Sequence, residues 1–283
     1  MFSEKLRSIS RFIKIEHTLF SLPLIFSGVF LASKEPPSLK LIILILLGAT
    51  GARTAALALN RIIDREIDKR NPRTITRELP SGKMSLGDAI FIFCIGAIIY
   101  LSSAFLISTF CFALAPLPLL IFTFYPYMKR FTSFAHFGVG LGLSMAPLGG
   151  WFAVKNSMQD ILPGILLSLF TLLWVSGFDI IYSTLDEAFD RGEKLFSFSS
   201  RFGKIKALRY SGILHLAAFI VLVILFFLQI RALAALPFLL FSGYLLYLEQ
   251  KKSSIDVELA FFKINAVLGF AVLAMVLVGV YFP

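Results

Sequence analysis

A chain of 283 residues with 58% hydrophobic content, 31 Phe and 16% charged residues carries more apolar surface than a soluble domain of that size can hide. It is therefore expected to be an all-α integral membrane protein with several spans. The net charge of +10 would also suit a nucleic-acid partner, but in a membrane protein such an excess usually marks cytoplasmic loops, so its distribution decides. The opening residues Met1 to Arg7 show no cleavable-signal pattern, because the first apolar run leads into Lys34-Glu35-Pro36-Pro37 rather than a small-residue cleavage site. Nine spans are predicted in chain order, approximately 17–33, 39–60, 86–106, 108–126, 133–153, 160–181, 207–229, 231–248 and 259–281. Several approach the ~20 residues that cross a hydrocarbon core. Spans three and four join tightly around Ser108 and Thr109.

The basic residues sort by side. The N-terminus, the loop at 61–85, Lys129-Arg130, residues 191–206 with Arg209, and Lys251, Lys252 and Lys263 hold 22 of the 27 Lys and Arg. The alternate loops hold only Lys34, Lys40, Lys155 and Arg231, and Arg53 lies inside a span. The positive-inside rule then places the N-terminus in the cytoplasm and the C-terminus outside, in a bacterial-type inner membrane, and the basic excess needs no nucleic acid. Cys94 and Cys111 both fall in apolar runs and are expected to be packing residues rather than a disulfide or metal site. His17, His136 and His215 are scattered, and none is expected to be catalytic.

Two polar stretches interrupt the apolar pattern. Asn60, Asp64 and Asp68 recur every four residues, and Asp179, Asp186 and Asp190 follow at steps of seven and four. At about 100° per residue, both spacings return to nearly one side of a helix. Clustered carboxylates repel one another, and oxygen-only ligands suit a hard cation such as Mg²⁺. Two such stripes at a membrane surface look like a metal–diphosphate site. Asp179 should lie below the interface, where an ionisable group is costly and usually functional. Arg53 precedes Asn60 by seven residues on the same face, about 10 Å deeper, and is expected to face a polar cavity.

A third element, Tyr125-Pro-Tyr-Met-Lys129-Arg130, closes span four on the same side. Lys129 is a candidate for neutralising phosphate oxygens, and so are Arg73, Arg77, Lys194 and Arg201 in the two basic loops. Spans two and six each end in an acidic stripe followed by a basic, Gly-containing loop. This weak symmetry suggests two four-helix halves plus one helix around a central cavity, within a single domain covering 1–283.

Taken together, these motifs resemble the UbiA superfamily of intramembrane aromatic prenyltransferases, over nearly the whole chain. The resemblance rests on Arg53 with Asn60-x-x-x-Asp64-x-x-x-Asp68, the following Arg73-Thr…Arg77-Glu-Leu-Pro-Ser-Gly82, and Tyr125-Pro-x-x-Lys129-Arg130. It rests equally on Phe178-Asp179…Asp186-x-x-x-Asp190 and on Ser197-Phe-Ser-Ser-Arg-Phe-Gly203. It implies a nine-helix fold, Mg²⁺, a polyprenyl diphosphate donor and an aromatic acceptor. The segment Phe12 to Pro23 is similar to 4-hydroxybenzoate polyprenyltransferases and to relatives acting on a dihydroxynaphthoate in menaquinone synthesis, without separating the two. One departure is Arg61, where many members carry Asp, which removes a carboxylate from the first metal motif.

The resemblance implies that Asn60, Asp64, Asp68, Asp186 and Asp190 hold the metal against the diphosphate. Arg73, Lys129 and Lys194 would stabilise the leaving group, with Arg77 and Tyr125 also among the substrate-binding residues. The allylic C–O bond would ionise and an electron-rich ring carbon attack, with Asp179 or Asp186 accepting the ring proton and Arg53 holding an acceptor carboxylate. Two alternatives remain: the same diphosphate chemistry on a non-aromatic acceptor such as a glycerol ether or haem, and a secondary transporter. Against the transporter, the polar groups gather at one membrane face rather than the midplane.

Overall fold

Hydroxyl side chains set several helix starts. Ser38 accepts from Leu41 N (3.3 Å) and opens α2, Leu39–Asp68, while Ser85 accepts from Asp88 N (3.0 Å) and opens α3, Leu86–Ile107. Ser108 breaks the apolar run after α3 and caps the short α4, Thr109–Leu114, by accepting from Cys111 N. Pro116 then starts α5, Pro116–Met128, so the predicted fourth span is one crossing made of two helices. The computed structural model describes Phe12 and residues 18–282. Residues 13–17, which include His17 and part of the segment from Phe12 to Pro23, lie outside the described residues.

The remaining helices are α1 (Thr18–Ala32), α6 (Ala135–Lys155), α7 (Leu162–Ser183), α8 (Glu187–Gly192), α9 (Phe198–Phe202), α10 (Lys204–Leu225), α11 (Leu236–Lys252) and α12 (Asn265–Tyr281). A π turn, Phe226–Ile230, extends α10 and another, Leu259–Ile264, leads into α12. Among the described residues, eight helices are long and apolar enough to cross a membrane, and the shorter Ser21–Ala32 occupies the first predicted position. The protein is an all-α, multi-pass membrane protein. Its outer faces carry large apolar side chains such as Phe91, Ile98, Phe105, Phe124, Leu216 and Phe227, each more than half exposed, as a lipid-facing surface requires.

Small residues let the helices approach. A Cβ on Gly28 of α1 would lie 2.0 Å from the Pro147 carbonyl oxygen, and one on Gly150 of α6 would lie 2.1 Å from that of Ile25. The α1 and α6 backbones are thus in direct contact at two levels, which only glycine permits. The largest core cluster lies among α7, α10, α11 and α12, around Phe170, Trp174, Leu222, Leu225, Leu268 and Met275. A buried polar network threads it. Trp174 Nε1 donates to Asn265 Oδ1 (2.7 Å), and Asn265 Nδ2 donates to Glu249 Oε1 (2.9 Å). His215 joins Trp174 O and Gln250 nearby (3.2 and 2.9 Å), so this histidine serves packing. None of α10, α11 and α12 lines the large cavity, which belongs to α1 through α7. Both cysteines are free. Cys94 is exposed and Cys111 lines that cavity.

Candidate active site

Helix α2 runs unbroken to Asp68, eight residues past the predicted end of its span, so Asn60, Asp64 and Asp68 do share one helix face. The second stripe is different, and the expectation of one continuous helix is corrected. Helix α7 ends at Ser183 because Ser183 Oγ and Thr184 Oγ1 donate to the Ile180 and Ile181 carbonyls (2.8 and 2.7 Å), offering local bonds in place of further helix. After that turn Asp186 stands at the N-cap of α8, which carries Asp190.

Even so, Asn60, Asp64, Asp68, Asp179, Asp186 and Asp190 line one pocket of about 210 Å³ at a single end of the bundle. Arg73, Arg77, Tyr125 and Lys129 line it too. Three of the acids are paired with basic side chains. Lys129 Nζ donates to Asp64 Oδ2 (2.6 Å), and Arg77 Nη1 donates to Asp68 Oδ2 (2.8 Å). Arg73 grips Asp186 with two nitrogens, Nε to Oδ1 at 2.9 Å and Nη2 to Oδ2, and also donates to the Tyr182 hydroxyl (2.6 Å). Asn71 Nδ2 adds a bond to Asp186 Oδ1 (2.9 Å). The loop between α2 and α3 therefore crosses the pocket and ties the two acidic segments together.

Electrostatics follow from these contacts. Burial works against the Asp186 carboxylate, but the Arg73 and Asn71 hydrogen bonds outweigh it and hold the group below the usual carboxylate range. Burial also opposes the Arg73 charge, and its bonds to Asp186 and Tyr182 more than compensate, raising its pKa. Asp190 goes the other way. Burial, with Ser197 opposing and Asp186 adding, pushes it up to about 6.

The departure at Arg61 has a structural account. Arg61 is buried, donates from Nη1 to Glu78 Oε2 (2.5 Å), and stacks on the Phe12 ring with its guanidinium carbon 5.0 Å from the centroid. It does not line the pocket, and instead pins the same loop against α2. Two basic residues expected near phosphate are not brought there. Lys194, at φ 56°, is exposed and lines neither cavity, and Arg201 lies over the Phe202 ring (5.6 Å), away from the site.

A larger cavity of about 690 Å³ opens beside this pocket, lined mainly by apolar side chains from Ile25, Leu44 and Ile45 to Phe152, Ile161 and Phe178. Three residues, Tyr125, Val139 and Asp179, line both cavities, so the two meet there. Arg53 lines the large cavity, and its buried Nε has no hydrogen-bond partner. A guanidinium left unsatisfied in an apolar wall is costly unless a ligand completes it.

Sequence reasoning missed His136. It is buried in the wall of the small pocket, and its Nδ1 lies 2.7 Å from Asp179 Oδ2. Its neighbour in sequence is no guide, because the partner is 43 residues away on another helix. Asn71 and Tyr182 were also missed, and Ser197 was noted only as the start of its motif. The bidentate Arg73–Asp186 pair links residues 113 apart, which no local spacing reveals.

Oxygen donors surround the small pocket, the chemistry a hard divalent ion prefers, and buried Asp64 Oδ1 accepts no hydrogen bond although Arg130 Nη2 is 3.4 Å away. Among the described residues, no three His, Cys, Asp or Glu side chains are already gathered closely enough to hold a metal. The donor set fits such an ion, and Asp64, Asp68 and Asp186 are paired with Lys129, Arg77 and Arg73.

The model of the UbiA prenyltransferase family matches residues 21–267. Among curated relatives, a 4-hydroxybenzoate octaprenyltransferase of Legionella pneumophila (strain Lens) is 34% identical over 167 residues, covering 58% of this chain. The match spans 57% of that relative, little more than half its length. Among solved structures, the apo UbiA homolog from Aeropyrum pernix K1 superposes with a TM-score of 0.87 at 32% identity, covering 93% of this chain and 98% of that one. A UbiA homolog from Archaeoglobus fulgidus bound to GPP and Mg²⁺ shares the fold at a TM-score of 0.76 and 16% identity, covering 96% and 99%.

Proposed function

The chain belongs to the UbiA prenyltransferase family, and from that premise we propose that it moves a polyprenyl group from its diphosphate to the ring of an aromatic acid. The acceptor is 4-hydroxybenzoate or a dihydroxynaphthoate, as in ubiquinone or menaquinone synthesis. The observation that carries this reading is the meeting of a charged pocket and a large apolar cavity at Tyr125 and Asp179, with the unsatisfied Arg53 in the apolar one. In this reading residues 1–283 act as a single catalytic domain, with the charged pocket and the N-terminus on the cytoplasmic side of a bacterial inner membrane.

Each part has a task. Asn60, Asp64, Asp68, Asp186 and Asp190 would hold Mg²⁺, as suits a family whose Archaeoglobus fulgidus homolog was solved with GPP and Mg²⁺. When bound, the ion supplies Lewis-acid neutralisation of the charge that builds on the departing diphosphate. Arg73, Arg77 and Lys129 line the same pocket and donate to phosphate oxygens, exchanging a carboxylate partner for the substrate. The apolar cavity takes the prenyl tail and keeps water from the allylic cation. Arg53 pairs with the acceptor carboxylate by a bidentate fork, which favours an aromatic acid over a glycerol ether or haem acceptor.

Membranes containing the protein, incubated with labelled polyprenyl diphosphate, Mg²⁺ and a panel of acceptors, test the proposal. Label should enter the ring of an aromatic acid, and excess chelator, Asp64→Ala or Asp190→Ala should abolish turnover while leaving the protein in the membrane. Transfer to non-aromatic acceptors alone would refute the substrate assignment. Full activity in chelator, or in either variant, would refute the metal mechanism.

A further inference from the structure

We propose that the root of α10, at the end of the bundle that holds the charged pocket, binds one anionic phospholipid. Its headgroup phosphate would rest on Lys206 and Arg209, and an acyl chain would lie along the helix beyond them. Neither residue lines the charged pocket or the large cavity, so the site is distinct from the catalytic one and independent of which acceptor is prenylated. Helix α10 has two faces. Ala207, Ser211, His215 and Ala218 are buried, and Ser211 Oγ donates to the Gly177 carbonyl (2.8 Å), so this face packs on α7. Ile213, Leu216, Ile220 and Ile224 lie on the opposite side and are exposed. Their steps of three and four residues keep them in one strip. It is about 16 Å long at 1.5 Å per residue, one leaflet of a ~30 Å hydrocarbon core.

The same steps, followed back towards the start of the helix, reach Arg209 and then Lys206, both exposed. Two cations thus head an apolar strip, the order of phosphate and chain in a phospholipid. Nothing described in the protein neutralises them. Arg73, Arg77 and Lys129 each meet a carboxylate, whereas Lys206 and Arg209 have no acidic partner among the described residues. No acid stands in the first turn of α10, and a cation there opposes the helix dipole. Helix α3 starts at the same end of the bundle and carries an outward strip through Phe91, Ile98 and Phe105, but Asp88, bonded to the Ser85 cap, heads it. The unpaired charge at the head of the α10 strip therefore selects a net negative headgroup at this helix.

Aromatic rings stand at the same level, as they do where a helix meets the headgroups. The Tyr210 ring is exposed, and the Phe198 and Phe202 rings of α9 each lie 5.5 Å from it between centroids. The Tyr210 hydroxyl has no hydrogen-bond partner among the described residues and can donate to a phosphate oxygen. Arg201, which is not brought to the charged pocket, stacks on Phe202 (5.6 Å) and adds a third cation beside these rings.

Native mass spectrometry of the detergent-solubilised protein, given equal amounts of phosphatidylglycerol and phosphatidylcholine, tests the site. Both lipids carry a phosphate, but choline cancels its charge in the second. The parent should retain one phosphatidylglycerol in preference to phosphatidylcholine, by about 30-fold if each of the two cations contributes as a basic residue at a membrane surface does. The double variant Lys206→Gln/Arg209→Gln should lose that preference, and Lys206→Arg/Arg209→Lys, which keeps both charges, should retain it. Lys251→Gln/Lys252→Gln removes as much charge from the same end of the bundle, where Gln250 bonds Ser211, and should change nothing. If the first double variant fails to fold, judged by gel filtration, Arg209→Gln alone is read in the same way, with partial loss expected. A parent without preference overturns the proposal, and so does a preference that survives in Lys206→Gln/Arg209→Gln. Equal loss in the two glutamine pairs also overturns it, because diffuse surface charge would then account for the binding. Displacement of the lipid by glycerol 3-phosphate as readily as by further phosphatidylglycerol would show a phosphate site alone and overturn the place given to the acyl chain.

Discussion

Replacing Arg53 by leucine separates acceptor binding from donor binding. The side chain lines the large cavity, and its buried Nε has no hydrogen-bond partner, so the free protein loses no internal bond at that atom when it is removed. Accumulation in the membrane and thermal stability should therefore be unchanged or improved. What is lost is a charge-assisted pair with the acceptor carboxylate, about 1.5–3 kcal/mol for a hydrogen bond to a charged group. At about 1.4 kcal/mol per factor of ten, the acceptor KM should rise about 10–100-fold. Donor KM should stay near its parental value, because Arg53 does not line the charged pocket. Arg53→Lys should recover only part of the loss, keeping the charge without the fork. Steady-state kinetics with each substrate varied in turn is the assay, and a decarboxylated acceptor is the control, since Arg53→Leu should not penalise it. A raised donor KM with an unchanged acceptor KM would refute the placement of the acceptor beside Arg53.

Three further outcomes follow from the same geometry. Gly149 lines the large cavity, and a Cβ there would meet nothing within 4 Å, so Gly149→Leu should fill the cavity without a clash and depress turnover of long polyprenyl donors more than short ones. Equal loss for all donor lengths would place the tail elsewhere. Arg61→Leu removes the buried ion pair with Glu78 and should destabilise the protein, read as thermal or denaturant unfolding in detergent; a shift near zero would mean that the pair does not pin the loop. Single cysteines at Ile75 and Lys194, both exposed, should label only from the cytoplasmic side in a cysteine-free background, and labelling from opposite faces would break the single-site model.

The helical periodicity carried most of the architecture. Apolar runs bounded by Ser38, Ser85 and Ser108 place the spans, and the four-residue repeat from Asn60 to Asp68 is visible because it lies on one unbroken helix. Legibility stopped where chemistry depends on contacts distant in sequence. The turn at Ser183 and Thr184 is written in two hydroxyls that could equally have continued the helix, and the seven-residue step from Asp179 to Asp186 looked regular across it. His136 is a single residue in an apolar, Gly-rich helix, and only the folded α7 and α9 supply its partners Asp179 and Phe198. The phosphate candidates divided for a similar reason. Arg73 and Arg77 reach carboxylates across the pocket, whereas Lys194 sits in a left-handed turn that leaves it exposed.

The pairing of acids with bases bears on how so many carboxylates can share one pocket. Two like charges about 4 Å apart cost about 4 kcal/mol at an effective dielectric of 20, so a pocket of five aspartates with no counter-charge would repel itself open. Lys129, Arg77 and Arg73 remove that repulsion by contacting Asp64, Asp68 and Asp186 directly. In the proposed reaction these cations would serve twice, first for the carboxylates and then for the diphosphate, and Asp64, Asp68 and Asp186 would then be free to hold a divalent ion. The exchange conserves favourable charge contacts on both sides, so the substrate need not break them without replacement. It also explains why the loop carrying Arg73 and Arg77 must be anchored independently of the site. The Arg61–Glu78 pair and the Phe12 ring hold its base to α2, so the loop can stay folded while its arginines change partners.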